Sequence, residues 1–123
     1  MRCGTLALVR VFHCDDSEAY RRLTELSLGD RDGIDLVGGA GDRASALAGI
    51  GETQPDVVLL DAIAPDFGTD LVGDIQDAAP GAKVIVLSGL AGARADDARI
   101  AAHVTKDASF DELEDVLRRV AAR

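Results

Sequence analysis

The chain has 123 residues, which is enough for one domain of ordinary size and too few for two. Because 47% of the residues are hydrophobic, the chain can bury a core without disulfides or a structural metal, and a disordered tail is excluded. The net charge of −9 argues against binding to nucleic acid or anionic lipid by charge attraction alone, and no apolar stretch approaches the roughly 20 residues of a membrane span.

Five short runs rich in valine, isoleucine and leucine predict five β-strands. The runs cover residues 6–14, 34–38, 57–60, 84–87 and roughly 101–105. Runs that are apolar at nearly every position suit strands covered on both faces, so this pattern favours a parallel sheet.

A stretch with helical spacing follows each predicted strand. The first helix is predicted over residues 17–28, where Ala19, Leu23 and Leu26 recur at intervals of four and three residues. This spacing places the three side chains on one face of a helix, and we expect that face to pack against the sheet.

The next two helices are shorter. The second is centred on residues 44–48, and we expect Gly51 and Pro55 to close it before the third strand. The third covers residues 71–79 and is stopped by Pro80.

The last two helices differ in the strength of their signals. The fourth is predicted near residues 93–99, where large apolar residues are scarce. The fifth has a capping box, Ser109 followed three residues later by Glu112. Its apolar face is formed by Phe110, Leu113, Val116, Leu117 and Val120.

Strands and helices that alternate without a linker predict an α/β fold for residues 1–123 as a single domain. The expected architecture is a doubly wound (βα)5 sandwich of three layers, with right-handed crossovers between parallel strands. In open sheets of this kind the ligand site lies beyond the carboxyl ends of the strands. The residues that end each strand are therefore the first candidates for function.

Polar residues stand at the ends of four predicted strands. They are Asp15 and Asp16, Asp61, Ser88, and Lys106. Three carboxylates at one edge repel one another unless a cation lies among them, and Mg²⁺ prefers such oxygen ligands. A nearby lysine and hydroxyl suit an anionic ligand, so the set favours phosphoryl transfer to a carboxylate.

These residues lie in segments that resemble the receiver domain of two-component response regulators over nearly the whole chain. The matching segments are CDDSEAYRRL at 14–23, QPDVVLLD at 54–61, KVIVLSG at 83–89 and KDAS at 106–109. The last of these is similar to receivers that precede LuxR-type DNA-binding domains. The resemblance implies a flavodoxin-like sheet with the strand order 2-1-3-4-5.

The resemblance also implies a role for each residue of the acidic set. Asp61 is expected to accept a phosphoryl group from a histidine kinase or a phosphotransfer protein. Mg²⁺ is the implied cofactor, bound by Asp16 directly, by Asp15 mainly through water, by Asp61 and by the backbone carbonyl of Ile63. The only enzymatic activity implied is self-phosphorylation from a donor and slow hydrolysis of the acyl phosphate.

Two further residues are expected to take part in switching. Lys106 is expected to pair with Asp61 and then with its phosphate, and Ser88 to turn inward to the phosphate oxygen. The family usually has Tyr or Phe three positions before the lysine, where this chain has His103. The surface formed by the fourth helix, the fifth strand and the fifth helix is the expected output surface.

The chain departs from the family pattern at two more places. In residues 64–69 alanine replaces the usual methionine before Pro65, and Gly68 comes one position early. Asp107 stands where many receivers have proline. The altered loop at 64–69 and His103 motivate a second hypothesis, an interaction module that does not use phosphorylation.

Two other patterns suggest different chemistry. His13 and Cys14 precede the acidic pair, but two histidines and two cysteines at no ligand spacing do not form a zinc site. Residues 39–44 imitate a dinucleotide fingerprint, which supports a third hypothesis, a small nucleotide-binding protein. That fingerprint normally follows the first strand, and it leaves Lys106 unexplained.

The expected partners follow from these features. We expect a histidine kinase or phosphotransfer protein, and a homodimer through either the output surface or the first and fifth helices. No DNA or membrane binding is expected of this chain itself. The scarcity of cysteine favours a reducing cytoplasm, and whether the chain is free-standing or part of a longer regulator stays open.

Overall fold

Five parallel strands form one sheet in a computed structural model of the protein, which describes residues 8–61, 71–88 and 98–122. The strands are β1 (Val9–Cys14), β2 (Ile34–Ala40), β3 (Val57–Asp61), β4 (Lys83–Ser88) and β5 (Ile100–Thr105). Their order in the sheet is β2-β1-β3-β4-β5, and every neighbouring pair is parallel. The predicted α/β fold class and strand order are confirmed.

Four helices lie within the described residues. They are α1 (Glu18–Leu28), α2 (Arg43–Thr53), α3 (Leu71–Ala78) and α4 (Phe110–Ala121). Ser109 caps the start of α4 as predicted, since its hydroxyl accepts a hydrogen bond from the Glu112 N–H at 3.1 Å. None of these helices is long and apolar enough to cross a membrane.

The sheet is buried on both faces, which explains its continuously apolar strands. On one face Phe12 and Cys14 of β1 pack in a core with α2 and α3. On the other face Val9 and Val11 of the same strand pack with Leu28 of α1 and with α4. This double burial gives the three layers that the sequence predicted.

Helix α1 is present where predicted, but the predicted orientation of its apolar face is wrong. Ala19 is exposed, and Leu23 and Leu26 are 50% and 68% exposed. The buried residues are Thr24 and Leu28, one position further along the chain, which rotates the buried face by about 100°. Thr24 can be buried because its hydroxyl donates to the Tyr20 carbonyl at 2.8 Å.

Two other helix predictions differ from the structure. Gly51 does not close α2, which continues to Thr53 and ends at Gln54 in a left-handed conformation with φ of 48°. Of the helix predicted near 93–99, only Ala98 and Arg99 are described, and they form a turn before β5. The remainder of that predicted helix lies outside the described residues.

Candidate functional site

Polar residues from four strands meet at one edge of the sheet. Asp15 and Asp16 come directly after β1, Asp61 ends β3, Ser88 ends β4, and Lys106 comes directly after β5. Because all the strands are parallel, their carboxyl ends lie at the same edge. The structure therefore brings to this edge the strand-end residues that the sequence marked as candidates.

Asp15, Asp16 and Asp61 form an acidic cluster. Each residue offers a carboxylate oxygen, and these oxygens lie within 4.8 Å of one another. Asp15 and Asp61 are buried, whereas Asp16 is exposed. Negative charges this close and partly removed from water repel one another, so the cluster is stable only with positive charge nearby.

Lys106 supplies part of that positive charge. Its Nζ lies 2.8 Å from Oδ2 of Asp15 and 3.3 Å from Oδ2 of Asp61. Burial disfavours the ammonium charge, but the hydrogen bonds and charges of the two carboxylates outweigh burial and raise the pKa of Lys106. Lys106 is also tied to β4, because its N–H donates to the Ser88 carbonyl at 2.7 Å.

Asp15 is held rigidly by the backbone around it. Its N–H donates to the Ala40 carbonyl of β2 at 3.0 Å, and its Oδ1 accepts from the Ser17 N–H at 2.9 Å. Its carbonyl accepts a short hydrogen bond from Nη1 of Arg21. These bonds fix one carboxylate oxygen and leave Oδ2 directed to Lys106.

The acidic cluster fits a magnesium ion in donor type, spacing and charge. Mg²⁺ takes oxygen ligands at about 2.0–2.1 Å in an octahedron, so adjacent ligand atoms stand about 3 Å apart and opposite ones about 4 Å apart. The three carboxylate oxygens lie within 4.8 Å of one another and so converge on a space of about this size. The three carboxylates and Lys106 together carry a charge of −2, which one divalent cation cancels.

His13 lies just inside the site as a buried, neutral imidazole. It is 2% exposed, and its Nε2 stands 3.7 Å from Oδ2 of Asp15. Burial lowers its pKa to about 4, helped by the charges of Lys106 and Arg21 and opposed by Asp15. Burial likewise raises the pKa of the neighbouring Cys14 thiol to about 12, so neither residue forms a reactive thiolate or an imidazolium at neutral pH.

The glycine-rich segment at the end of β2 and just after it is closely packed. A Cβ on Gly38 would stand 2.9 Å from the ring of Phe12, and a Cβ on Gly39 would stand 3.1 Å from the backbone carbonyl oxygen of His13. A Cβ on Gly41 would stand 2.9 Å from Nη1 at the end of the flexible Arg21 side chain. Close packing within the sheet thus gives Gly38 and Gly39 a structural role.

The structure describes only some of the remaining predicted site residues. His103 is half-buried on β5, and its Nε2 is buried without a hydrogen-bond partner within the described ranges. The carbonyl of Ile63 and the unusual loop at 64–69 lie outside the described residues, as does Cys3. Tyr20 was missed, although it stands six residues after Cys14 in the very segment that carries the family resemblance.

Comparison with known proteins identifies the family. The family model that matches residues 11–118 is that of the response regulator receiver domain. The chain belongs to this family. The receiver domain is 37% identical over 82 residues to the DNA-binding transcriptional activator DevR/DosR of Mycobacterium tuberculosis, an alignment that covers 66% of the chain and 38% of the relative.

A second relative has a different overall function. The receiver domain is 38% identical over 82 residues to protein-glutamate methylesterase/protein-glutamine glutaminase 1 of Caulobacter vibrioides, covering 66% of the chain and 24% of that protein. The matched part is well under half the length of both relatives. The shared property is therefore the receiver domain of two-component systems.

Solved structures agree with this assignment. The receiver domain of the response regulator NarL from Mycobacterium tuberculosis superposes with a TM-score of 0.76 at 27% identity, covering 95% of this chain and 99% of that one. A LuxR-family regulator from Aurantimonas gives a TM-score of 0.83 at 23% identity, covering 94% and 86%. The predicted resemblance to receiver domains of response regulators is confirmed.

Proposed function

We propose that this receiver domain is a phosphorylation switch in which Asp61 accepts a phosphoryl group from a histidine kinase or phosphotransfer protein. The observation that carries the proposal is the convergence of Asp61 with two further carboxylates and Lys106. A carboxylate oxygen of Asp61 attacks the phosphorus atom as the N–P bond of the donor's phosphohistidine breaks. The imidazole leaves with the bonding electron pair and takes up a proton, and Asp61 becomes an acyl phosphate.

The neighbours of Asp61 would stabilise the charge that moves in this step. Mg²⁺, held by Asp15, Asp16 and Asp61 and by the Ile63 carbonyl, would supply positive charge to the oxygens of the transferring group. Nζ of Lys106 is 3.3 Å from Oδ2 of Asp61. Lys106 is therefore placed to pair first with the carboxylate and then with the negative charge on the phosphate.

We place the switching residues in β4 and β5. The Ser88 hydroxyl would donate to a phosphate oxygen, and the hydrogen bond from Lys106 N–H to Ser88 links the ends of the two strands. His103 pairs in register with Val86 and is not anchored through Nε2 by the described residues, which suits a ring that changes position. The output surface would then be formed by residues 93–99, β5 and α4.

The test is phosphorylation by acetyl phosphate or phosphoramidate in Mg²⁺, followed by intact-mass measurement. We expect the mass gain of one phosphoryl group in the wild type and none in D61N. The matched control is D56N, because Asp56 directly precedes β3 at the end opposite to Asp61 and accepts a hydrogen bond from the Arg10 N–H. An unmodified wild type at saturating donor would overturn the proposal and favour the interaction module.

The partners follow from the same proposal. The relative from Mycobacterium tuberculosis is described as a DNA-binding transcriptional activator. We propose that this receiver domain acts in the cytoplasm and controls DNA binding by a partner or an output domain. Beryllofluoride should raise its homodimer fraction in light scattering, either through the output surface or through α1 and α4, and an unchanged mass would contradict the dimer.

A further inference from the structure

The ring of Tyr20 is a third neighbour of Lys106, beside the two carboxylates. Nζ of Lys106 lies 4.6 Å from the centroid of this ring, within the range of a cation–π interaction. Tyr20 belongs to the first turn of α1 and is the only tyrosine in the chain. The ring therefore reaches Lys106 from α1, an element that contributes neither the lysine nor any of the three carboxylates.

Two neighbouring elements hold the Tyr20 ring in place. It stacks on Phe110 of α4 with centroids 6.4 Å apart, and it meets His13 of β1 edge-on at 5.6 Å. The backbone N–H of Tyr20 donates to the Ser17 hydroxyl at 3.2 Å, and this bond caps the start of α1. A ring packed between two other rings presents a fixed face to the ammonium.

We infer that Tyr20 is a positioning residue that keeps the Lys106 ammonium at the site when its carboxylate partners are engaged elsewhere. The inference rests on the proposed function, because a metal bound to Asp15 and Asp61 both competes for their oxygens and repels the ammonium. A hard divalent cation does not take an aromatic face as a ligand, so the ring remains available to Lys106 throughout. Lys106 can then move from Asp61 to the phosphate without leaving for solvent.

The first experiment observes the contact itself. In the wild type we expect upfield ring-current shifts of the Lys106 Cε protons in NMR spectra, retained in Y20F and lost in Y20L and Y20M. The exposed Leu23 on the same helix provides the control L23A, which should keep the shifts. Wild-type shifts that match those of the Y20L protein would overturn the inference.

The second experiment separates positioning from general damage to the site. Without the ring the ammonium spends less time at the carboxylates, so Y20L should bind Mg²⁺ as tightly as the wild type or more tightly. Its rate of phosphorylation by phosphoramidate should fall by about two- to five-fold, and Y20F should restore the rate. Weaker Mg²⁺ binding together with slower phosphorylation would show a damaged site and overturn the inference.

The two proposals fail in different ways. If the wild type is not phosphorylated at all, the proposed function fails, while the ring-current shifts and the Mg²⁺ affinities still decide the role of Tyr20. If the wild type is phosphorylated and Y20L reacts at the same rate, only the inference about Tyr20 fails. Y20M provides the same comparison should Y20L not fold.

Discussion

Burial of His13 makes the stability of the domain depend on pH, with lower stability at acid pH. Its native pKa of about 4 lies below the value of about 6.5 in an unfolded chain. Between these values the unfolded chain binds a proton that the native state does not, so the free energy of unfolding falls as the pH drops. The loss from this residue amounts to about 3 kcal/mol by pH 4.

The variant H13L should lack this contribution. Urea unfolding of both proteins, without metal, at a series of pH values from 7 to 4 would give two stability curves. We expect the wild type to lose about 3 kcal/mol relative to H13L between pH 7 and pH 4, because only the wild type takes up the histidine proton on unfolding. Curves that stay parallel would show that His13 binds its proton equally well in the native and unfolded states.

The sequence shows some site residues more clearly than others, for physical reasons. Asp15, Asp61 and Lys106 could be predicted because a parallel sheet necessarily places its strand ends at one edge. Tyr20 could not be predicted in the same way. Its contact with Lys106 depends on the rotation of α1 about its axis and on the stacking against Phe110.

At the scale of single elements, α1 shows which leucines hold the helix to the sheet. Leu28 is fully buried in the core with Val9 and Val11, whereas Leu23 is half exposed. We expect L28A to lower the free energy of unfolding by about 2–5 kcal/mol and L23A to change it by less than about 0.5 kcal/mol. Chemical denaturation measures both, and a larger loss in L23A than in L28A would mean that α1 packs through the predicted face.

Helix α2 contains a matched pair of glycines that tests close packing against β1. A Cβ on Gly49 would stand 2.7 Å from two ring atoms of Phe12, while a Cβ on Gly51 would find only the Ala78 Cβ at 4.0 Å. Alanine in a helix is favoured over glycine by about 0.5–1 kcal/mol, so G51A should be stabilised by that amount. G49A should instead be destabilised by about 1–3 kcal/mol through overpacking.

The comparison of these two variants isolates the contact, because both changes carry the same gain in helix propensity. Thermal and urea unfolding should rank the proteins G51A, wild type and G49A in order of decreasing stability. Equal stabilisation of both variants would show that the Phe12 ring moves aside at no cost.

The predictions for α1 and α2 were wrong at residues whose behaviour in the structure differs from the usual behaviour of their residue type. An apolar repeat states which residues share a face, but in α1 the exposed repeat of Ala19, Leu23 and Leu26 competes with a buried face that includes Thr24. A threonine reads as polar in sequence, although its hydroxyl is satisfied within the helix. Helix α2 ends at Gln54 with positive φ, a conformation that glutamine rarely adopts. Sequence alone therefore favoured Gly51 as the end of the helix, and that prediction was wrong.

For the whole molecule, the alternation of strands and helices and the parallel sheet were predictable from the apolar runs that burial on both faces of the sheet requires. Short crossovers of fixed hand limit the arrangements of five parallel strands, and the order 2-1-3-4-5 was expected from the family resemblance. Each strand of the centre must then be apolar at successive positions, as β3 is from Val57 to Leu60. The negative charge of the molecule plays no part in this choice, since it lies mainly outside the core.

Magnesium should stabilise the whole domain through the acidic cluster and not through screening of its net charge of −9. At a Mg²⁺ concentration of 100 times Kd, linkage raises the free energy of unfolding by about 2.7 kcal/mol. D16N should lose most of this rise, whereas D35N, which removes the same charge from the exposed start of β2, should keep it. Sodium chloride at matched ionic strength gives the screening contribution. Equal stabilisation of D16N and D35N by Mg²⁺ would assign the whole effect to screening and exclude a bound ion.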